Sequence, residues 1–155
     1  KKYNNIIITR SFSKIYALAG VRIGYGLASE GLISKLNNKR QPFNVNQVAQ
    51  QMAIKSLADK KFLTKSLKSY ELCREFLFEQ LDKLDVSYIE SYANFITINF
   101  GKASKSIFDE LLKSGIILRP LDNYDLPNFL RLTIGTMDEC KLFITALKRI
   151  LSKNQ

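Results

Sequence analysis

The chain has 155 residues, of which 46% are hydrophobic and 25% charged, a composition typical of a globular domain. No apolar run approaches the roughly 18 residues that a membrane-spanning helix requires. Histidine is absent, which excludes His-based catalytic triads and most zinc sites. The 24 Lys and Arg against 14 Asp and Glu give a formal net charge of +10, which favours an anionic substrate or partner.

The basic residues are scattered along the chain and do not form a single patch. The densest run consists of Lys55, Lys60, Lys61, Lys65 and Lys68. This run is typical of a solvated helix face, whereas a nucleic-acid surface would interleave more arginines and aromatic rings with the charge. We therefore expect neither nucleic acid nor a membrane among the partners.

The cysteines and the first residues of the chain bear on its compartment. Cys73 and Cys140 are far apart in sequence and fit no metal or redox spacing. The opening residues contain an apolar core of three isoleucines and no small-residue cleavage site, so they do not resemble a signal peptide. We expect a cytoplasmic protein with two reduced thiols and no bound metal.

In chain order, the first predicted elements are two strands. The apolar run at residues 6–8 predicts a short strand buried on both faces, as in a parallel sheet. Residues 22–27 alternate around two glycines and predict a second strand. Gly20 is expected to let the chain turn back towards the preceding loop, and Gly24 to permit close approach of a backbone or cofactor.

Helices are predicted next. Ser29 is placed to cap one helix, and a second helix is predicted from about Asn46. The strongest helical pattern covers residues 60–84, where apolar side chains recur at three- and four-residue steps. We interpret this stripe as core or interface packing, and the long helix as a connector between two parts of the chain.

The remainder predicts a small α/β unit. Gly115 is placed to end a helix as its C′ residue, and Thr136 and Glu139 have the spacing of a capping box. The predicted elements are, in order, a half-buried strand at 96–100, a helix at 107–112, strands at 116–119 and 129–134, and a last helix after residue 136.

Between the first two strands lies a loop with the functional groups of a cofactor site. The segment SFSKIYALAGVRIGY carries Lys14 directly after the first strand and Arg22 eight residues later. A lysine amine bonds covalently to carbonyl groups when it is held neutral. Ser11 and Ser13 offer hydroxyl donors, and Arg22 can give two parallel hydrogen bonds to a phosphate. Pyridoxal phosphate has both a carbonyl and a phosphate, although the spacing by itself also fits an ordinary surface lysine.

The same segment resembles a known family. SFSKIYALAGVRIGYG is similar to the cofactor-lysine segment of fold-type I pyridoxal-phosphate aminotransferases, most closely of histidinol-phosphate aminotransferases. On this resemblance Lys14 corresponds to the lysine that bonds covalently to the cofactor. Ser11, Ser13 and Arg22 correspond to positions that contact the cofactor phosphate.

A second segment resembles the same family near the other end of the chain. GIILRPLDNYDLPNFLRLTIGTMDE is similar to the C-terminal signature, in which Arg119 and Arg131 correspond to residues that bind the anionic end of the substrate. Strand alternation agrees, because it turns Arg131 away from the face shared by Leu130 and Leu132. Taken alone, this alternation is more often that of an arginine that faces water. RQPFNVNQVAQ and SYANFITINF also resemble family segments, so the resemblance covers nearly the whole chain.

The resemblance implies a fold and a domain organisation. The implied fold is α/β, the C-terminal part of a fold-type I pyridoxal-phosphate-dependent transferase. Residues 1–65 are expected to be a remnant of the large cofactor domain, and residues 66–155 the small C-terminal domain. Family members are more than twice as long, and their upstream half supplies further cofactor contacts. We therefore expect the isolated 155 residues to be inactive.

The resemblance also implies an activity. It is pyridoxal-phosphate-dependent transamination of histidinol phosphate with 2-oxoglutarate in histidine biosynthesis, catalysed by a homodimer. Aromatic amino-acid aminotransferases and threonine-phosphate decarboxylases resemble this family closely and are alternatives with the same Lys14. An inactive fragment and a basic binding module are alternatives from other classes.

Overall fold

The computed structural model describes residue 3 and residues 5–153, which divide into two compact units. The units are residues 1–66 and residues 67–155. The chain passes between them inside a long helix, α3 (Lys60–Lys83), at the place where the sequence predicts a connector. The assignment of these units as cofactor-domain remnant and C-terminal domain stays a prediction. No helix of the described part is both long and apolar enough to cross a bilayer.

The first unit is a hairpin followed by helices. Its elements are β1 (Ile8–Ser11), β2 (Gly24–Leu27), α1 (Glu30–Asn37) and α2 (Gln47–Ala58). The strands β1 and β2 pair antiparallel, with Ser11 opposite Gly24. As predicted, α2 follows Asn46, whose side-chain oxygen accepts a hydrogen bond from the backbone N–H of Ala49 at 2.8 Å. A small core of Phe12, Leu18 and Ala53 holds the connection between the strands.

The prediction of a buried parallel strand at residues 6–8 is wrong for this chain. Ile6, Ile7 and Ile8 are 48%, 42% and 51% exposed, and only Ile8 belongs to a strand. An apolar run indicates that its side chains favour burial, but it does not show whether other strands or helices cover them. The second strand also begins later than predicted, at Gly24. Arg22 has a left-handed backbone conformation with φ 57°, so it cannot belong to the extended strand.

The second unit is a four-stranded antiparallel sheet with helices. After α3 come β3 (Tyr88–Ile89), β4 (Phe95–Asn99), α4 (Ser104–Lys113), β5 (Arg119–Leu121), β6 (Leu126–Thr133) and α5 (Met137–Leu151). The strand order is β3-β4-β6-β5. The core contains Leu77 and Leu81 of α3, and its other members include Ile96, Ile98, Leu111, Leu130, Phe143 and Leu147.

Two strand predictions in this unit need correction. Residues 116–118 are not a strand, since β5 begins at Arg119, and β6 starts at Leu126 rather than at residue 129. The earlier start follows from the tight hairpin, in which Leu121 pairs with Leu126 beyond a register shift. The strand predicted at 96–100 is present as β4, but it is not half-buried, because Thr97 is only 9% exposed on the face opposite Ile96 and Ile98.

The predicted helix ends are confirmed. Gly115 follows α4 with φ +77°, the left-handed conformation that glycine adopts without penalty. Thr136 and Glu139 form the capping box of α5: the Thr136 backbone N–H donates to Glu139 Oε2 at 2.7 Å. These hydrogen bonds to the charged carboxylate hold the pKa of Glu139 below its ordinary value.

The two cysteines, distant in sequence, lie in one core. Cys73 of α3 and Cys140 of α5 are free thiols that are 1% and 3% exposed. Burial, followed by the neighbouring Cys73 thiol, raises the pKa of Cys140 to about 11. Buried thiols of this kind pack as small hydrophobic side chains and are chemically inert.

Candidate active site

Lys14 lies in the connection between β1 and β2, which is fastened at both ends to the core of the first unit. The Phe12 backbone N–H donates to the Ile23 carbonyl at 3.3 Å, and the Leu18 N–H donates to the Phe12 carbonyl at 3.0 Å. Phe12 and Leu18 are 2% and 9% exposed, so their side chains anchor the base of this loop. Lys14 itself is exposed. Both ends of the loop are therefore held by the core, and the Lys14 amine remains accessible.

The three other predicted cofactor contacts lie at the end of β1 and in the same connection. Ser11 Oγ accepts a hydrogen bond from the Ser13 backbone N–H at 3.0 Å, which fixes the chain just before Lys14. An Arg22 guanidinium nitrogen donates to the Ala19 carbonyl at 2.6 Å, which leaves its other N–H groups to donate to an anion. Ser11 thus ends β1, and Ser13, Lys14 and Arg22 lie in the connection that follows it. Their roles there stay a prediction.

The backbone of this loop is strained in two places. Ala17 and Arg22 have φ values of 56° and 57°, in the left-handed region that residues with a Cβ rarely adopt. Such residues cost on the order of 1–3 kcal/mol each and cluster at functional sites. Gly20, which the sequence assigns to the turn, lies in a single 3-10 turn (Ala19–Val21) and does not have a positive φ.

Gly24 is required by close backbone contact. A Cβ added there would lie 2.7 Å from the Arg10 carbonyl oxygen of the paired strand, closer than backbone atoms tolerate. We expect Gly24→Ala to destabilise the full-length protein by about 1–3 kcal/mol because the hairpin must open to admit the methyl group. Urea unfolding measures this change.

Gly20→Ala is the matched control for that substitution. A Cβ at Gly20 meets no atom within 4 Å, so its stability should stay within about 0.5 kcal/mol of the wild type. Equal stability of the two variants would show that β1 and β2 do not pair as described.

The two predicted substrate arginines lie side by side in the sheet of the second unit. Arg119 of β5 and Arg131 of β6 are directly opposite each other, and Thr97 of β4 lies opposite Arg131 on its other side. Cross-strand partners project from the same face, with Cβ atoms roughly 5 Å apart. As alternation predicts, Leu130 and Leu132 point to the buried face, at 2% and 8% exposure.

Neither cation of this pair forms an ion pair within the part of the chain that the structure describes. Like charges directly opposite each other destabilise a sheet. The ion pairs formed within residues 5–153 are Lys83–Glu79 and Lys113–Glu110, and neither involves these arginines. Arg131 Nε is buried and makes no hydrogen bond within the described chain. An anion bound between Arg119 and Arg131 would offset the repulsion and satisfy this donor.

Aromatic rings pack against both guanidinium groups, and neither ring is among the site residues predicted from the sequence. The Arg131 guanidinium carbon lies 5.2 Å from the centre of the Phe95 ring. The Arg119 guanidinium carbon lies 5.6 Å from the centre of the Tyr124 ring. Both are cation–π distances. Phe95 lies two residues before Thr97, on the same face of β4. Only the strand pairing shows that Arg131 lies on this face as well.

The comparisons with known proteins agree on one family. The model of the family "Aminotransferase class I and II" matches residues 1–147. A histidinol-phosphate aminotransferase from Caldicellulosiruptor saccharolyticus is 42% identical over 150 residues, which cover 97% of this chain and 42% of that protein. The chain thus spans about two fifths of the length of this curated relative.

Solved structures share the fold. The histidinol-phosphate aminotransferase from Clostridium acetobutylicum superposes with a TM-score of 0.90 at 27% identity, over 97% of this chain and 47% of that one. The enzyme of the same name from Sinorhizobium meliloti, solved in complex with pyridoxal-5'-phosphate, gives a TM-score of 0.85 at 26% identity, over 99% of this chain and 43% of that one.

These similarities confirm the α/β fold predicted from the sequence, that of fold-type I pyridoxal-phosphate-dependent transferases. They also agree with the two segments that carry the resemblance, one around Lys14 and one around Arg131, since the match extends across both. The chain belongs to the family of class I and II aminotransferases.

Proposed function

We propose that the full-length protein is a pyridoxal-phosphate-dependent aminotransferase that acts on histidinol phosphate in histidine biosynthesis. The observation that carries the proposal is the 42% identity, over 97% of this chain, to a protein named histidinol-phosphate aminotransferase. Support from the site is chemical. One loop holds an exposed amine, two hydroxyls and a guanidinium, a donor set that fits the aldehyde and phosphate of pyridoxal phosphate.

In this proposal each residue of the Lys14 loop has a distinct role. Pyridoxal phosphate supplies a conjugated ring that takes up negative charge from the substrate α-carbon. Lys14 Nζ would hold the cofactor aldehyde covalently, and it would act as the base that moves the proton from the substrate α-carbon. Ser11, Ser13 and Arg22 would bind the cofactor phosphate and so hold the ring in one orientation. The strained, anchored loop keeps these groups in place before the cofactor binds.

Arg119 and Arg131 have the role of binding the substrate anion. Their guanidinium groups would bind the phosphate of histidinol phosphate, and then the carboxylate of glutamate or 2-oxoglutarate, in turn. Two adjacent guanidinium groups that form no ion pair with the described residues fit such an exchange, because each anion replaces the other at the same donors. We also propose a homodimer in the cytoplasm, as the family resemblance implies.

The test uses the full-length protein loaded with pyridoxal phosphate. Histidinol phosphate, phenylalanine and threonine phosphate are each added without an acceptor, and the cofactor absorbance is followed. We expect conversion to the pyridoxamine form with histidinol phosphate. Conversion with phenylalanine alone would assign an aromatic aminotransferase. Release of carbon dioxide from threonine phosphate, with the cofactor spectrum restored, would assign a decarboxylase.

A further inference from the structure

The two arginines of the anion site rest on rings of different chemistry. Phe95, under Arg131, offers only a π-face. Tyr124, under Arg119, adds a phenol hydroxyl. The hydroxyl lies beside the charge, since an Arg119 guanidinium nitrogen donates to Tyr124 Oη at 3.4 Å. Arg131 therefore packs on a ring without polar groups, whereas Arg119 packs on a ring whose hydroxyl also forms a hydrogen bond with it.

The Tyr124 hydroxyl has a proton to donate. Its oxygen accepts from Arg119, so the O–H itself remains available as a donor. Among the described residues none accepts this proton, and the Tyr124 side chain is 56% exposed. The turn at Asp122–Tyr124 aims the ring back along β5, and Asp125 closes it with φ 59°. The geometry thus places a free donor next to a guanidinium.

A donor at this position distinguishes phosphate from carboxylate. A carboxylate has two oxygens, and one guanidinium can satisfy both in a bidentate pair. A phosphate monoester has three terminal oxygens and more charge, so it can accept a further hydrogen bond after the arginines are paired. We propose that Tyr124 is a specificity-determining residue whose hydroxyl donates to a substrate phosphate and has no equivalent bond to a carboxylate. This inference rests on the function proposed above.

The test is Tyr124→Phe in the full-length, cofactor-loaded protein. This variant keeps the ring under Arg119 and removes only the hydroxyl. We expect kcat/KM for histidinol phosphate to fall about tenfold, the value of one hydrogen bond to a charged group, while kcat/KM for glutamate changes by less than about twofold. Tyr124→Leu should lower both because Arg119 loses its support. Tyr92→Phe, which alters another exposed tyrosine of the same unit, is the control and should change neither.

A binding measurement supplements the kinetics and does not depend on which donor is used. Inorganic phosphate should raise the thermal midpoint of the cofactor-loaded wild type, and Tyr124→Phe should need about tenfold more phosphate for the same rise. Equal losses with both donors, or an unchanged phosphate response, would overturn the inference. If the proposed function is wrong, the wild type itself will not turn over histidinol phosphate. The phosphate responses of the wild type and of Tyr124→Phe would then still test the role of Tyr124.

Discussion

Replacing Lys14 with alanine is expected to abolish transamination by the full-length protein. The exposed amine in the anchored loop would be both the covalent partner of the cofactor and the base at the substrate α-carbon. Removal of a group with both roles should lower kcat by on the order of a thousandfold or more. The direct measurement is mass spectrometry after borohydride reduction, which should find pyridoxal phosphate on the peptide that contains Lys14.

Lys35→Ala is the matched control, because Lys35 is an exposed lysine in the last turn of α1 in the same unit. It should retain wild-type activity and the cofactor adduct. A Lys14→Ala protein that remains active, or an adduct on a different lysine, would contradict both the proposed role and the resemblance on which it rests. Unfolding curves of the two variants separate loss of chemistry from loss of structure.

Arg131→Ala is expected to have the second largest effect. It removes the guanidinium whose Nε is buried and makes no hydrogen bond with any described residue, directly opposite Arg119. Loss of charge-assisted hydrogen bonds worth about 3 kcal/mol would lower kcat/KM for histidinol phosphate about a hundredfold. KM should change more than kcat, because the anion is bound in the ground state as well as in the transition state. Steady-state kinetics over a range of donor concentrations measures the two separately.

Arg131→Lys and Arg149→Ala complete this experiment. Lysine keeps the charge but lacks the planar guanidinium, so the kcat/KM of Arg131→Lys should lie between those of the wild type and Arg131→Ala. Arg149 is an exposed arginine of α5 that donates to Ser114 Oγ at 2.9 Å, far along the chain from the arginine pair. Its replacement should leave KM unchanged. An Arg131→Ala variant with the KM of the wild type would show that the pair does not bind the substrate anion.

Local sequence patterns were sufficient for most helices and for the Lys14 loop. The three- and four-residue spacing of apolar side chains predicted α3 almost to the residue, and Thr136 with Glu139 marked the start of α5. Such signals involve residues within a few positions of each other, so they act before any tertiary contact forms. The resemblance around Lys14 is equally local, since all four predicted cofactor contacts lie within residues 11–22.

Strand burial and strand ends could not be predicted in the same way. The isoleucines at residues 6–8 have a buried pattern but lie exposed, whereas Thr97 has a polar side chain and lies buried in β4. Whether a strand face is covered depends on neighbouring strands and layers, which alternation along one strand does not specify. The proximity of Cys73 and Cys140 in one core likewise depends on the packing of α3 with α5.

Local patterns and the family resemblance were enough to predict the family, the helices and the arginines and lysine of the candidate site. The combination of Arg119, Arg131, Phe95 and Tyr124 depends on the tertiary structure. The register of β4, β6 and β5 places the two arginines opposite each other, and the β5–β6 turn returns Tyr124 to Arg119. The physical reason is that strand register and ring stacking are relations between segments, set by pairing and packing across the sheet rather than by the order of residues within any one strand.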